Sequence, residues 1–285
     1  MELQLFKTLW GHSGPIVQAA EQALAMGYAG LEGSADRPRE YLDALGDALQ
    51  KNRLQFIQEI VTGGDYVPRR HASVDEHLAD VKRQLHLGQA LSPRFVTIIG
   101  GCDVWTLEQS ARFFAEAMEY AARLNVACSF ETHRSRSLFC PWTTLPLLER
   151  IPEMKLTCDF SHWVVVMERL LDDDWDAVLQ VTQRAHHIHA RVGYPQGPQV
   201  PHPAAPEYAA ALASHQRCWE AIWSAQRSRN HSSTTMTPEF GPDGYLHTLP
   251  FTERPVAVLD QVNAWMGETE KAHFAAWTRL AIPNR

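Results

Sequence analysis

Several features that mark particular protein classes are missing from this sequence. Its five cysteines are widely spaced and form no Cys-x-x-Cys pair, which argues against a disulfide framework and a thiolate zinc site. No apolar run approaches the roughly 20 residues that a membrane-spanning helix needs. No basic-then-apolar leader opens the chain, so we expect no secretory signal and a reducing, cytoplasmic location.

Positive charge is also scarce. The chain has 26 Lys and Arg residues against 33 Asp and Glu residues, a net charge of −7, and its longest basic run is the Arg69–Arg70 pair. Proteins that bind nucleic acid through its backbone usually carry a basic face. We therefore expect a small-molecule partner and neither nucleic acid nor a membrane, with a homo-oligomer left open.

The sequence does contain a regular alternation of short apolar runs and longer helical patterns. Helix-start signals include Ser73 with Glu76 and Thr106 with Gln109, both capping-box patterns. The eight candidate strands are residues 3–9, 28–31, 54–61, 95–99, 126–130, 154–160, 186–189 and 234–240. Eight strand–helix units predict an α/β fold of the closed (β/α)8 TIM barrel type, formed by residues 1–285 as one domain. An open doubly wound sheet is the rival, but no Gly-x-Gly-x-x-Gly motif follows the first run.

In such a barrel the site forms where the strands end. Runs five to eight end in or near Glu131, Asp159, His189 and Glu239. Three converging carboxylates would repel one another and take up protons unless a cation joined them. Oxygen ligands with one imidazole suit Mn²⁺ or Mg²⁺ best, with Co²⁺ or Zn²⁺ as alternatives. The sequence thus predicts a divalent-metal site.

Other polar and aromatic residues near the strand ends are candidate substrate contacts. These are Trp10, His12, Glu32, Glu59 and His162. Each also has an ordinary explanation: helix capping or a solvated loop for the rim residues, a buried ion pair for Glu59, and packing for the aromatic residue. Three more aromatic residues, Trp105, Trp142 and Tyr194, either line a pocket wall or simply pack. Arg134 and Arg136 either bind an anionic group or lie in a solvated loop. His187 is expected to face the helices and to have only a structural role. The Pro/Gly-rich segment 193–206 is interpreted as an active-site loop.

Four of these strand-end segments resemble a known superfamily. Phe-Glu-Thr-His at 130–133, Cys-Asp-Phe-Ser-His at 158–162, His-Ile-His-Ala-Arg at 187–191 and Pro-Glu-Phe-Gly at 238–241 are similar to motifs of the xylose-isomerase-like barrels. That superfamily includes sugar isomerases and epimerases, hydroxypyruvate isomerases, inosose and dehydroshikimate dehydratases, and apurinic endonucleases. Residues 192–203 match none of the better-known isomerases, which leaves the substrate open.

The resemblance implies specific roles for these residues. Glu131, Asp159, His189 and Glu239 would hold the metal, and Glu131 and Glu239 would also exchange the substrate proton. His162 would approach the substrate oxygens, and Arg191 falls near, although not at, the position of a substrate-binding arginine. The expected activity is a divalent-metal-dependent isomerase or epimerase of a sugar or small hydroxy-carbonyl compound, acting through an enediolate. A dehydratase on the same scaffold, an apurinic endonuclease and a non-enzymatic metal or sugar binder are the alternatives.

Overall fold

Eight parallel strands close into a barrel in which each strand pairs with the next along the chain and the last pairs with the first. The computed structural model describes residues 1–242 and 244–280; residues 243 and 281–285 of the predicted domain lie outside the described residues. The strands are β1 (Glu2–Thr8), β2 (Gly30–Ser34), β3 (Gln55–Val61), β4 (Phe95–Ile99), β5 (Cys128–Glu131), β6 (Leu156–Cys158), β7 (Ala185–His189) and β8 (Ser233–Thr237). The predicted (β/α)8 barrel is confirmed.

Helices surround this barrel. They are α1 (Ile16–Ala25), α2 (Arg39–Asn52), α3 (Val74–Gly88), α4 (Leu107–Arg123), α5 (Pro141–Arg150), α6 (Ser161–Met167), α7 (Trp175–Thr182), α8 (Ala209–Ser228) and α9 (Leu259–Leu280). The capping boxes predicted for α3 and α4 are both formed. The predicted sixth and eighth strands are too long, because α6 begins three residues after β6 and the backbone leaves the sheet after Thr237.

The side chains of each strand alternate between the barrel interior and the helices, as the two-residue period of a strand requires. Phe6, Ile57 and Phe95 form a small apolar cluster inside the barrel, separate from the main core between strands and helices. Two residues further along β4, Thr97 belongs to a group of buried hydroxyls with Ser129 and Thr157. Two residues beyond Ser129 and Thr157 lie Glu131 and Asp159, so this side of the interior becomes charged towards the carboxyl ends of the strands.

All five cysteines are free thiols. Among the described residues, no helix is both long and apolar enough to cross a membrane.

Candidate metal centre and active site

Four side chains from consecutive strand ends meet inside the barrel mouth. Glu131 is the last residue of β5, Asp159 follows β6 directly, His189 is the last residue of β7, and Glu239 lies two residues beyond β8. All four are buried, and one ligand atom from each lies within 4.8 Å of those of the other three. The structure therefore brings together the four residues that the sequence nominated.

His189 lies at the centre of this group. Its Nδ1 is 2.9 Å from Oε2 of Glu239 and 3.4 Å from Oε1 of Glu131. Neither contact has hydrogen-bond geometry, so Nδ1 of His189 is buried without a hydrogen-bond partner among the described residues, as is Oε2 of Glu131. Unpartnered buried polar atoms are costly and rare. Three carboxylates and one imidazole form a donor set for a divalent cation, and such an ion would satisfy both atoms.

The acid–base properties of the cluster reflect its crowding. Burial, opposed by His189 and reinforced by Glu239 and Asp159, raises the pKa of Glu131 to about 7. Burial also raises the pKa of Asp159, although Arg191 opposes it. Burial alone would lower the pKa of His189, but the surrounding carboxylates raise it well above its usual value. Without added positive charge, the cluster therefore retains protons that isolated carboxyl groups would release.

Arg191 contributes one positive charge from within the chain. Its side chain is buried, and Nη2 lies 2.5 Å from Oδ2 of Asp159 and 2.5 Å from Nε2 of His162. Its Nε donates to Oγ of Ser161, which in turn donates to Oδ1 of Asp159. His162 and Arg191, both expected to contact substrate, thus border the cluster. Asp159 holds Arg191, and Arg191 in turn contacts His162.

Glu32 lies on the other side of His189, deeper in the barrel. Its Oε1 is 3.0 Å from Nε2 of His189, its Oε2 is 3.1 Å from Nε2 of His187, and Oε2 also accepts a hydrogen bond from Thr237. Although burial opposes it, the two histidines lower the pKa of Glu32, so this carboxylate is ionised. Both carboxylate oxygens of Glu32 therefore bind protein groups. The expectation that Glu32 contacts substrate at the barrel mouth is not met.

The expected orientation of His187 is wrong. Its ring contacts those of Phe6 and Phe95 inside the barrel, at centroid distances of 6.5 and 5.3 Å, in addition to Glu32. Positions 187 and 189 are two residues apart on one strand and therefore share a face. His187 belongs to the barrel interior together with His189.

Glu59 is the fifth buried carboxyl group of the site. It accepts a hydrogen bond of 3.0 Å from the hydroxyl of Tyr66. Burial and the charges of Glu239 and Glu131 raise the pKa of Glu59 to about 8, so it is mainly protonated at neutral pH. Sequence reasoning nominated Glu59 but missed Tyr66, which lies in the loop between β3 and α3 with no motif around it.

Aromatic side chains from three loops cover the centre. The ring of Trp10 lies 5.7 Å from that of Tyr66 and 5.0 Å from that of Tyr245, and the guanidinium of Arg191 lies 4.8 Å from the centroid of Tyr245. Trp10 was expected here, whereas Tyr245 was missed. Other predicted wall residues lie elsewhere: Trp105 packs on His77 and Phe113, Trp142 contacts Arg169, and Tyr194 packs on Tyr208.

His12 is not drawn into the cluster. It lies in the loop after β1, where Nε2 is 3.2 Å from the carbonyl oxygen of Pro15. Among the described residues, no hydrogen bond or ion pair connects it to the four central side chains.

Two loops stabilise the surroundings of the site: one holds Tyr66 of the aromatic cover (Trp10, Tyr66 and Tyr245), and the other holds the chain after β8. Arg136 is buried, and its guanidinium donates to the carbonyl oxygens of Thr62, Asp65, Tyr66 and Gly101. It therefore fixes the loop that carries Tyr66. In the predicted active-site loop, the amide group of Gln199 both donates to and accepts from the backbone of Gly241, at 3.2 and 2.9 Å. Segment 193–206 is thereby joined to the chain just after Glu239.

Comparison with known proteins agrees with this fold. Residues 20–200 match the sequence profile of the family described as xylose isomerase-like TIM barrel. No curated protein matches the sequence.

Solved structures share the fold over nearly the whole chain. L-ribulose 3-epimerase matches with a TM-score of 0.65 and 15% identity, covering 100% of both chains. D-allulose 3-epimerase from Methylomonas sp., in complex with D-allulose, has a TM-score of 0.63 and 14% identity, covering 95% of this chain and 97% of the other. A xylose isomerase-like TIM barrel protein from Mycobacterium smegmatis, in complex with magnesium, has a TM-score of 0.64 and 10% identity, covering 97% of each chain. At these identities the likeness is one of fold.

Proposed function

Because this chain belongs to the xylose isomerase-like TIM barrel family, we propose that it is a divalent-metal-dependent isomerase or epimerase of a sugar or small hydroxy-carbonyl compound. The epimerases among its structural neighbours support this class of reaction, and the neighbour that contains magnesium supports the metal. Mn²⁺ and Mg²⁺ fit the oxygen-rich donor set best, with Co²⁺ and Zn²⁺ as alternatives.

The observation that carries the proposal is the buried group of Glu131, Asp159, His189 and Glu239. Its ligand atoms lie within 4.8 Å of one another. Nδ1 of His189 and Oε2 of Glu131 are buried and have no hydrogen-bond partner within residues 1–242 and 244–280. A site built only to stabilise the fold would pair these atoms with protein groups. Four ligand atoms this close to one another are the arrangement that a cation requires.

In the proposed reaction, Glu131 and Glu239 move the substrate proton. A bound divalent ion would polarise the substrate oxygens and make the adjacent C–H more acidic. One carboxylate removes the proton from one face of the substrate, and the other carboxyl group returns a proton to the product. The two residues come from β5 and from the chain after β8, and both approach Nδ1 of His189. Asp159 and His189 would serve as ligands only.

The surrounding residues have supporting roles in this proposal. His162 and Arg191 bind substrate oxygens, and Trp10 supplies an apolar face for the substrate. The carboxyl group of Glu59, which Tyr66 holds by a hydrogen bond, provides a further polar contact. Glu32, expected at first to touch substrate, instead orients His189. His12 has no assigned role.

Two measurements on the purified protein test the metal and the proton transfer. Chelation should abolish turnover on a panel of ketoses and aldoses, and Mn²⁺ or Mg²⁺ should restore it. In deuterium oxide, Glu239→Gln should still bind Mn²⁺ but lose exchange of the substrate C–H, whereas Glu21→Gln on the exposed surface of α1 should exchange normally. Normal exchange in Glu239→Gln would show that the assignment of the base is wrong.

The alternatives predict different products. A dehydratase would release an unsaturated carbonyl product with ultraviolet absorbance, whereas an isomerase would not. An apurinic endonuclease would nick abasic DNA, which the net charge of −7 disfavours. A non-enzymatic protein would bind metal or sugar without turnover of any compound.

A further inference from the structure

Arg134 lies at the edge of the aromatic cover, three residues after Glu131. Its side chain is half-buried, and its guanidinium carbon lies 5.0 Å from the ring centroid of Tyr245. The ring of Tyr245 also contacts Trp10 and Arg191. Arg134 is therefore part of the same wall that covers the candidate metal centre, on its outer side.

The three arginines of this region differ in the groups that they bind. Arg136 donates to four backbone carbonyl groups, and Arg191 pairs with Asp159. Arg134 has no carboxylate oxygen within 4.0 Å among the described residues, although the face of Tyr245 partly removes it from water. A guanidinium with five fixed donors in such a place matches a planar or tetrahedral oxyanion.

A second unsatisfied donor belongs to His162, whose ring also lies near Tyr245, at a centroid distance of 6.4 Å. The guanidinium of Arg191 can only donate, so Nε2 of His162, 2.5 Å away, accepts. An imidazole that accepts at Nε2 carries its proton on Nδ1. This Nδ1–H is buried and has no hydrogen-bond partner in the part of the chain that the structure describes.

We propose that the substrate carries an anionic group, a carboxylate or a phosphate, which Arg134 binds at the mouth, while Nδ1–H of His162 donates to another oxygen of the same molecule. This inference rests on the proposed function, since it places the reacting carbons at the metal centre and the anionic group at the far end. It also explains why two cations, Arg134 and Arg191, lie against the same tyrosine ring: the first is neutralised by substrate and the second by Asp159.

Three ketoses that differ only at carbon six separate the possibilities: D-fructose, D-fructuronate and D-fructose 6-phosphate. Their binding to the Mn²⁺-loaded protein is measured by calorimetry, alongside C–H exchange in deuterium oxide. The test variants are Arg134→Gln and Arg134→Lys. The control is Arg53→Gln, which also removes one positive charge; Arg53 lies in the exposed turn before β3, at the opposite end of the barrel.

The wild-type protein should bind at least one of the two anionic compounds at least tenfold more tightly than D-fructose, and the better of the two identifies the group. Arg134→Gln should lose that preference, Arg134→Lys should recover part of it, and Arg53→Gln should keep it. Equal binding of all three compounds, or retention of the preference in Arg134→Gln, overturns the proposal. Because binding is measured separately from exchange, anion selectivity without exchange would contradict only the proposed reaction, and exchange without anion selectivity would contradict only the role of Arg134.

Discussion

Glu32 holds His189 from inside the barrel: its Oε1 lies 3.0 Å from Nε2 of the imidazole, while Nδ1 of the same ring faces Glu239 at 2.9 Å. Because an ionised carboxylate can only accept, Nε2 of His189 is the protonated nitrogen. The lone pair of a neutral ring is then on Nδ1, directed at the candidate metal position. Carboxylate–histidine–metal arrangements of this kind fix the tautomer and raise the basicity of the ligand.

We therefore expect Glu32→Gln to weaken Mn²⁺ binding by about 10- to 100-fold, the usual effect of losing such a partner. Equilibrium dialysis of the purified variant measures the change, with Glu21→Gln as the control. Thr237→Val removes only the hydroxyl that donates to Glu32, so its effect should be smaller and in the same direction. An unchanged Mn²⁺ affinity in folded Glu32→Gln would refute the positioning role.

The absence of a side chain at Gly241 shapes the aromatic cover. A Cβ at this position would overlap the ring of Trp10, which would have to leave its place beside Tyr66 and Tyr245. Gly241→Ala should lower the free energy of unfolding by about 1–3 kcal/mol, the usual cost of overpacking. It should also raise KM for the substrate.

Gly46 provides the matched control, because it lies within α2 and the nearest atom to an added Cβ is 3.7 Å away. Gly46→Ala should stabilise the protein by about 0.5–1 kcal/mol through reduced freedom of the unfolded chain. Denaturant unfolding of both variants tests the pair. Equal stability of Gly241→Ala and the wild type would mean that Trp10 is not confined as described.

Stability should depend on the protonation of His215. Burial lowers its pKa from 6.5 to about 4. The neutral ring donates from Nδ1 to the carbonyl oxygen of Ala211 and accepts from the backbone N–H of Gly193. It therefore joins the start of segment 193–206 to α8. Between pH 6.5 and about 4 the unfolded chain binds a proton at this position and the folded chain does not, and falling pH therefore destabilises the fold.

The contribution of His215 over this window should be roughly 1–3 kcal/mol. His215→Gln keeps an acceptor near Gly193 but does not titrate, so its free energy of unfolding should fall less between pH 7 and pH 4.5 than that of the wild type. His71→Gln on the exposed surface is the control. Parallel pH profiles for the wild type and His215→Gln would contradict the assignment.

Four residues of the site could be predicted from the sequence because they lie at the ends of predicted strands. Glu131, Asp159, His189 and Glu239 end apolar runs or follow them closely, and parallel strands deliver their carboxyl ends to one rim. The capping boxes of α3 and α4 were equally local, since each depends on two residues three apart. Tyr66 and Tyr245 could not be found in this way, because they lie in loops whose paths depend on contacts with distant residues such as Arg136 and Trp10.

The sequence alone determined the alternation of strands and helices, the barrel that follows from it, and the four residues at its rim, because periodicity and helix-start signals are short-range properties. Only the tertiary structure decided the direction of each buried donor. Glu32 lies beneath His189 instead of at the mouth, and His187 points into the barrel. Arg136 donates to backbone carbonyl groups, whereas Arg134 lies against Tyr245. The physical reason is that a buried polar group must find a partner, and in a closed barrel those partners come from strands and loops far apart in the chain.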